Sequence, residues 1–241
     1  WAQEPAGVPR PVATPVKVHH SSDFGWSAQQ DVTEELSGLL KSGRLKAGEE
    51  LVLDHTYRIG GSHTLPDDFT LSAAKGGGFD VTDATETNPR TFLVLGNRNT
   101  VRNLTITYLN TPPLGSTGGV NPKRGVHYRP RTGIAASGQS DVRIENCRLV
   151  GSISSHLRLT DCRRPHITGC HFLGGYWTVY LLGDVTDAVF RDSVFEKCQG
   201  DGIKTVRGGD GTQRARVESC LFQDNGRDGI DTTGGWKDSV V

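Results

Sequence analysis

Three charged residues suited to proton transfer and carboxylate binding recur at long, related intervals. Arg158 and Lys204 are 46 residues apart, and Asp231 follows Lys204 after 27 residues. Arginine binds a carboxylate through two parallel hydrogen bonds, and a lysine can remove a proton once neighbouring cations lower its pKa. If the fold brings these residues together, Lys204 is the candidate base, Arg158 or Arg207 is the candidate carboxylate clamp, and Asp231 lies beside the lysine.

Apolar residues recur at the same intervals and supply a repeat that would align these charges. Ile144, Ile167, Phe190 and Val217 follow one another at steps of 23, 23 and 27 residues. Two further columns share these steps, namely Cys147, Cys170, Ser193 and Cys220, and Leu149, Phe172, Phe195 and Phe222. Repeats of this length with short strands are typical of a solenoid, in which each coil buries its apolar face against its neighbours.

A second strand in each repeat aligns in the same register. Its predicted inward column is Ile134, Leu157, Tyr180, Ile203 and Ile230, and its predicted outward column is Ala135, Arg158, Leu181, Lys204 and Asp231. Neighbouring rungs of a parallel sheet are about 4.8 Å apart, so Lys204 should lie directly beside Asp231, with Arg158 about 10 Å away. A structural ion pair between Lys204 and Asp231 is the alternative to a catalytic role.

These columns predict an all-β chain folded as a right-handed parallel β-helix, with about 23 residues per rung over residues 44–241. Residues 1–26 are predicted to be an N-terminal extension. Helical spacing of apolar residues after a capping box at Ser27 predicts a helix over residues 27–43, which caps the first rung. No equivalent cap is found before Val241, so the C-terminal end of the β-helix is expected to be completed by further residues or by a second chain.

Composition excludes some classes of partner and cofactor. Positive and negative residues balance at 27 each, which favours neither nucleic acid nor an anionic membrane, and no apolar run approaches a membrane span. Five cysteines without a C-x-x-C pair predict neither a zinc cluster nor a complete disulfide framework. The cysteine column is expected to pack in the core, while a disulfide between Cys162 and Cys198 stays open. Nothing in the sequence indicates an organic cofactor.

The segment 48–107, with Leu51-Val-Leu53 and Thr100-Val-Arg-Asn-Leu-Thr-Ile106, resembles the opening of pectate-lyase-like β-helix proteins. Together with the later rungs, the resemblance covers most of the chain. That superfamily includes polysaccharide lyases, uronan epimerases, glycoside hydrolases and non-catalytic β-helices. The resemblance implies a secreted or periplasmic protein whose partner is an acidic polysaccharide or oligosaccharide.

Two later segments, Gly200-Asp-Gly-Ile-Lys204 and Arg227-Asp-Gly-Ile-Asp231, are similar to the Asp-Gly repeats of calcium-dependent pectate lyases of polysaccharide lyase family nine. The resemblance implies that Asp201, Asp228 and Asp231 are Ca²⁺ ligands. Arg227 departs from the family, which tends to carry an acid there, and the family's base would lie beyond Val241. A lysine paired with Asp231 would also occupy the space that Ca²⁺ needs.

Residues flanking the outward column supply candidates for substrate binding. A long loop predicted over residues 110–131 mixes cations with an aromatic side chain, as a binding wall for an acidic sugar would require. Aromatic residues before the Tyr180 strand could stack on a sugar ring, and a histidine is predicted to point outward beside Arg158. Solvated surface residues are the alternative. The six candidates are Tyr128, Arg129, Arg131, His156, Tyr176 and Trp177.

The leading functional hypothesis is a carbohydrate-active enzyme that acts on a uronate-containing polysaccharide by β-elimination or C5 epimerisation. Both reactions begin with removal of the C5 proton, so these residues do not separate them. A glycoside hydrolase that uses two carboxylates among Asp201, Asp228 and Asp231 is a second hypothesis. A non-catalytic polysaccharide-binding or structural β-helix is the third.

Overall fold

The computed structural model describes residues 15, 17–82, 91–109, 132–151, 154–206 and 208–241. The predicted loop at 110–131, including Tyr128, Arg129 and Arg131, therefore lies outside the described residues, and so does Arg207. The described chain forms a parallel β-solenoid with one short α-helix, as the sequence predicted. No helix among these residues is long and apolar enough to cross a membrane.

Three parallel sheets of eight, seven and seven strands form the sides of the described solenoid, and seven of its rungs add one strand to each sheet. Sheet A contains β1 (Lys17–His20), β2 (Glu49–Leu53), β5 (Thr70–Ala73), β8 (Thr100–Arg102), β11 (Arg143–Glu145), β14 (His166–Thr168), β17 (Val189–Arg191) and β21 (Arg216–Glu218). Sheet B contains β3 (Thr56–Ile59), β6 (Gly78–Val81), β9 (Thr105–Tyr108), β12 (Arg148–Val150), β15 (His171–Leu173), β18 (Val194–Glu196) and β22 (Leu221–Gln223). Sheet C contains β4 (His63–Thr64), β7 (Leu93–Leu95), β10 (Thr132–Ser137), β13 (Ser155–Thr160), β16 (Trp177–Leu182), β19 (Ile203–Val206) and β23 (Ile230–Asp231). A short pair, β20 (Thr212–Gln213) and β24 (Trp236–Lys237), lies between sheets C and A in the chain.

The capping helix is shorter than predicted. Helix α1 spans Thr33–Lys41 and buries Leu36 and Leu39, whereas the sequence predicted residues 27–43. Gln29 has a left-handed backbone with φ of 61°, and Asp31 forms a β-bridge to Arg58, so α1 cannot begin before Thr33. A separate 3₁₀ helix spans Ser21–Phe24. The predicted N-terminal extension is also wrong over residues 17–20, because β1 pairs with β2 as part of sheet A.

The inward columns of sheets A and B are confirmed. Ile144, Ile167, Phe190 and Val217 pair in sequence across sheet A, and their side chains are buried. In sheet B the Phe195 ring is stacked between those of Phe172 and Phe222, with centroids 5.2 and 4.7 Å away and interplanar angles of 8°. Identical positions on successive rungs thus build a continuous apolar core.

The cysteines are free thiols that pack in or near this core. Cys147 and Cys170 are buried, and each Sγ contacts backbone carbonyl oxygens within 3.5 Å. Cys162 and Cys198 are buried and free, so the disulfide that the sequence left open between them is not formed. Burial is the main reason that the pKa of Cys198 rises to about 12, which makes this thiol unreactive.

A ladder of alternating acidic and basic residues follows the turn between sheets C and A, and the sequence analysis missed it. All seven members have left-handed backbones, with φ between 50° and 59°. Arg164 contacts Asp141 through two hydrogen bonds of 2.7 Å, and Arg214 contacts Asp187 through bonds of 2.7 and 2.8 Å. A slip by one rung would place like charges together, so the ladder favours the native register. Its members are Asp68, Arg98, Asp141, Arg164, Asp187, Arg214 and Asp238.

The phenylalanine stack provides a direct test of the core. Phe195→Ala is expected to lower the free energy of unfolding by about 3–5 kcal/mol, because it leaves a cavity between two stacked rings. Leu221→Ala, on the same sheet but 49% exposed, is the control and should change it by less than about 0.5 kcal/mol. Urea denaturation measures both values, and equal effects would contradict the stacked core.

Candidate functional site

The outer face of sheet C carries the predicted charged column, with one change of register. Paired positions on β10, β13, β16, β19 and β23 are Ala135, Arg158, Tyr180, Lys204 and Asp231. Tyr180 was predicted to point inward and Leu181 outward, which is wrong, because Leu181 is buried and Val179 occupies the inward column. Arg158, Lys204 and Asp231 are aligned as predicted.

A short turn explains the error at Tyr180. Three residues separate β15 from β16, whereas four separate β12 from β13. Paired residues of β13 and β16, such as Leu157 and Val179, are therefore 22 residues apart in sequence rather than 23. The next step, from Val179 to Ile203, is 24 residues and restores the alignment of Lys204 with Arg158. A shift of one residue moves a side chain to the other face of a strand, and therefore only β16 was misassigned.

Lys204 and Asp231 form an ion pair at the end of this column. The Lys204 Nζ donates to Asp231 Oδ2 and lies 3.9 Å from Asp201 Oδ2. Asp231 Oδ1 accepts a hydrogen bond of 2.8 Å from the Thr233 backbone N–H. Burial raises the pKa of Asp231, but the hydrogen bonds from Lys204 and Thr233 outweigh it and lower the pKa to about 2. Asp231 is therefore a carboxylate at neutral pH, and it accepts the hydrogen bond from Lys204.

The three aspartates predicted as metal ligands lie together. One carboxylate oxygen from each of Asp201, Asp228 and Asp231 falls within 4.8 Å of the others. Asp201 is 1% exposed, and its Oδ2 atom is buried without a hydrogen-bond partner. Its Oδ1 atom accepts a hydrogen bond of 3.2 Å from the Asp228 backbone N–H. Carboxylates so close together need a cation to balance their charge, and Lys204 supplies one.

These residues do not fit Ca²⁺ while Lys204 holds this position. Ca²⁺ takes six to eight oxygen ligands, and three aspartates supply only part of such a shell. The Lys204 ammonium contacts Asp231 and faces Asp201, so a divalent cation there would be repelled by the lysine. Ca²⁺ binding by Asp201, Asp228 and Asp231 thus stays a prediction that requires Lys204 to move away.

Two of the predicted substrate-binding residues, Tyr176 and Trp177, lie beside the charged column. The Trp177 ring is 4.9 Å from the Tyr180 ring and 4.6 Å from the Tyr176 ring, measured between centroids. The Arg158 Cζ atom lies 5.6 Å from the centroid of Tyr180. Arg158 is exposed and the three aromatic residues are half-buried. This arrangement combines a guanidinium with ring faces and edges, and it can bind a sugar that carries a carboxylate.

His156 does not belong to this surface, contrary to the prediction. Its side chain is fully buried, and its ring centroid lies 5.9 Å from that of Tyr108 and 6.2 Å from that of Phe172. The Nε2 atom is 3.2 Å from the Gly174 carbonyl oxygen. Burial lowers the pKa of His156 to about 4, so the imidazole is neutral at physiological pH. Strand alternation predicted an outward side chain, but long-range packing at the start of β13 covers it.

A second polar groove lies on the outer face of sheet A and encloses about 340 Å³. Its arginines already have acidic neighbours: Arg191 donates to Glu218 at 2.6 and 2.9 Å, and Arg143 lies 3.6 Å from Glu145. The positive charge available to a ligand is correspondingly reduced. Its lining residues are Arg143, Glu145, Asn146, His166, Thr168, Val189, Arg191 and Arg216.

The lowered pKa of Asp231 makes stability depend on pH. The folded value of about 2 is below the ordinary value of 3.8, so this contribution is complete above pH 4 and disappears as the pH falls through 2. Asp231→Asn should therefore lower the free energy of unfolding by about 2 kcal/mol at pH 7 and change it little at pH 2. Asp210→Asn is the control, because the Asp210 side chain is 73% exposed. Urea unfolding across this pH range measures the effect, and a constant difference would contradict the assignment.

Two solved structures share the fold at low sequence identity. A candidate glycosyl hydrolase from Parabacteroides merdae ATCC 43184 superposes with a TM-score of 0.52 at 13% identity, over 86% of this chain and 96% of that protein. Tailspike protein gp49 of Acinetobacter baumannii bacteriophage Fri1, a capsular polysaccharide depolymerase, gives a TM-score of 0.52 at 13% identity, over 94% of this chain and 50% of the tailspike. The chain thus spans half the length of that tailspike. At this identity the likeness concerns the fold alone.

Sequence comparison gives the family. No curated protein matches the chain. The family model described as "Right handed beta helix region" matches residues 70–239, which is well over half of the 241 residues. The chain belongs to the right-handed β-helix family.

Proposed function

We propose that this protein acts on an acidic, uronate-containing polysaccharide at the outer face of sheet C. The observation that carries the proposal is the outward column, in which Arg158, Tyr180, Lys204 and Asp231 occupy successive rungs. Its cations can bind sugar carboxylates, and the neighbouring rings can pack against sugars. The description of one fold relative as a capsular polysaccharide depolymerase supports a polysaccharide as the substrate class.

The column also has the shape that a polymer requires. It runs along the solenoid axis with one side chain about every 4.8 Å, so an extended chain can contact several rungs at once. Arg158 is exposed and lies two rungs from Lys204. In this arrangement Arg158 clamps a uronate carboxylate, Trp177 and Tyr176 border the sugar ring, and Lys204 faces the reacting residue of the polymer.

The reaction supported best is removal of the C5 proton, followed by β-elimination or by epimerisation. A uronate loses this proton only when its carboxylate is neutralised, because negative charge develops there in the transition state. Lys204 and Arg158 supply that neutralisation. Lys204 remains the predicted base, but its contact with Asp231 means that it must first lose a proton and separate from the carboxylate. Lys204 is therefore essential, either as the base or as a cation that neutralises the substrate carboxylate.

One observation favours glycoside hydrolysis as a second candidate. Retaining glycosidases place two carboxyl groups about 5 Å apart, and oxygens of Asp201, Asp228 and Asp231 lie within 4.8 Å of one another. However, Asp201 is buried, and Lys204 contacts Asp231. Asp201 and Asp231 are thus less accessible to a glycosidic bond than the exposed Arg158.

Incubation with alginate, pectate and glycosaminoglycans tests the proposal. The wild type should generate the ultraviolet absorbance of an unsaturated uronate, and Lys204→Ala should reduce kcat at least about 100-fold. Lys237→Ala is a matched control, since Lys237 forms an ion pair of 3.2 Å with Asp210 at the exposed surface. It should leave kcat unchanged.

Other outcomes distinguish the alternatives. New reducing ends without absorbance would assign hydrolysis, and exchange of the C5 proton without cleavage would assign epimerisation. Binding without any reaction would assign a non-catalytic β-helix. Full activity of the Lys204→Ala variant would remove Lys204 from the mechanism.

Metal dependence is a separate prediction. Because the Lys204 ammonium occupies the aspartate cluster, a chelator should leave the activity unchanged, and calorimetry should detect no Ca²⁺ binding to the wild type at these aspartates. Lys204→Ala should create weak Ca²⁺ binding that a further Asp201→Asn change removes. Loss of wild-type activity in chelator, restored by Ca²⁺, would contradict this account.

A further inference from the structure

Tyr180 holds a position in the site that the sequence analysis did not assign to it. It pairs with Arg158 on one side and with Lys204 on the other, and its side chain is half-buried on the outer face of sheet C. Its ring is fixed by Trp177 at 4.9 Å and by the Arg158 guanidinium at 5.6 Å, measured to the ring centroid. The phenol of Tyr180 is therefore one rung from Lys204, on which the proposed reaction depends.

Charged residues flank Tyr180 in the outward column. Arg158 and Lys204 are cations on the adjacent rungs, and Asp231 follows Lys204. If the phenol loses its proton, the column alternates between positive and negative charge along all four rungs. Alternation of this kind is favourable at a spacing of about 4.8 Å, whereas adjacent like charges are not.

Lys204 is poorly placed to accept a proton in the resting structure. Its Nζ donates a hydrogen bond to Asp231 and lies 3.9 Å from Asp201, so it is engaged by carboxylates of this chain. Ala135 and Arg158 cannot accept a proton, and Asp231 is occupied by Lys204. Within the described outward column, Tyr180 is the remaining group that can transfer a proton to and from a substrate.

We infer that Tyr180 is the single proton-transfer residue of the site and that the reaction is a β-elimination on one face of the sugar. This inference rests on the proposed function. The phenolate oxygen of Tyr180 takes the C5 proton, and the C5–H electrons form the C4=C5 double bond. The C4–O4 bond breaks, and the new phenol gives its proton to O4, which restores the phenolate. Arg158, which is exposed on the adjacent rung, and Lys204 together neutralise the substrate carboxylate.

A single proton-transfer group restricts the substrate. The same oxygen can serve C5 and O4 only if the C5–H and C4–O4 bonds lie on the same face of the ring. Uronates of gluco and manno configuration meet this condition, whereas galacto- and gulo-configured uronates do not. Epimerisation needs proton transfer on both faces, and the outward column supplies a group on one. Tyr180 therefore selects polymers of mannuronate or glucuronate as substrates for elimination.

The test compares substrates and conservative variants. The wild type should generate unsaturated product from polymannuronate or glucuronan, with at least about 100-fold higher kcat/KM than from polyguluronate or pectate. Tyr180→Phe keeps the ring and should lower kcat at least about 100-fold while KM changes less than about threefold. Tyr57→Phe is the control, because it deletes a hydroxyl at the far end of the solenoid, where Tyr57 contacts Ser21. It should retain wild-type kcat.

A third variant separates a catalytic role from a structural one. Tyr180→His should recover part of the activity with its optimum at lower pH, since imidazole accepts a proton at lower pH than phenolate. Full activity of Tyr180→Phe would overturn this inference but not the proposed function. If only Lys204→Ala lost activity, Lys204 would be identified as the base. Selective cleavage of pectate or polyguluronate would also overturn it. No unsaturated product from any polymer would overturn this inference, and the further absence of C5 proton exchange would overturn the proposed function with it.

Discussion

Hydrogen bonding between each strand and its copy one rung away is the constraint on which the other features of this protein depend. It holds equivalent residues about 4.8 Å apart, so any side chain repeated in sequence becomes a column in space. Inward columns give the stacked rings of Phe172, Phe195 and Phe222. Outward columns align charges at a spacing where neighbours of opposite sign are stabilising. The same geometry therefore produces both the core and the candidate site.

Charge is organised by column in two places, with different consequences. The Asp/Arg ladder beside sheet A pairs each of its three arginines with an aspartate on an adjacent rung, for example Arg164 with Asp141 and Arg214 with Asp187. Its charges are paired within the ladder, and they help to fix the register of neighbouring strands. The column on sheet C ends in a Lys204–Asp231 pair but leaves Arg158 exposed and Tyr180 between two cations. That unsatisfied positive charge is what an acidic sugar can use.

Much of this could be predicted from the sequence, because three apolar columns with identical steps fix the rungs of sheets A and B. The alignment of Lys204 with Asp231 followed from the same steps. Tyr180 could not be placed, since a turn of one residue fewer reverses the faces of β16 and leaves the neighbouring rungs unchanged. The burial of His156 and the late start of α1 depend on contacts between residues distant in sequence, which periodicity does not report.

The central claim is that an acidic polymer binds along the outer face of sheet C with its reacting sugar beside Tyr180. The most direct measurement is a crystal structure of the Tyr180→Phe variant with a mannuronate or glucuronate hexasaccharide. The account predicts a sugar carboxylate bound by Arg158 and a C5 hydrogen that faces the ring of residue 180. A hexasaccharide bound instead in the sheet A groove, against Arg143 and Arg216, would contradict it.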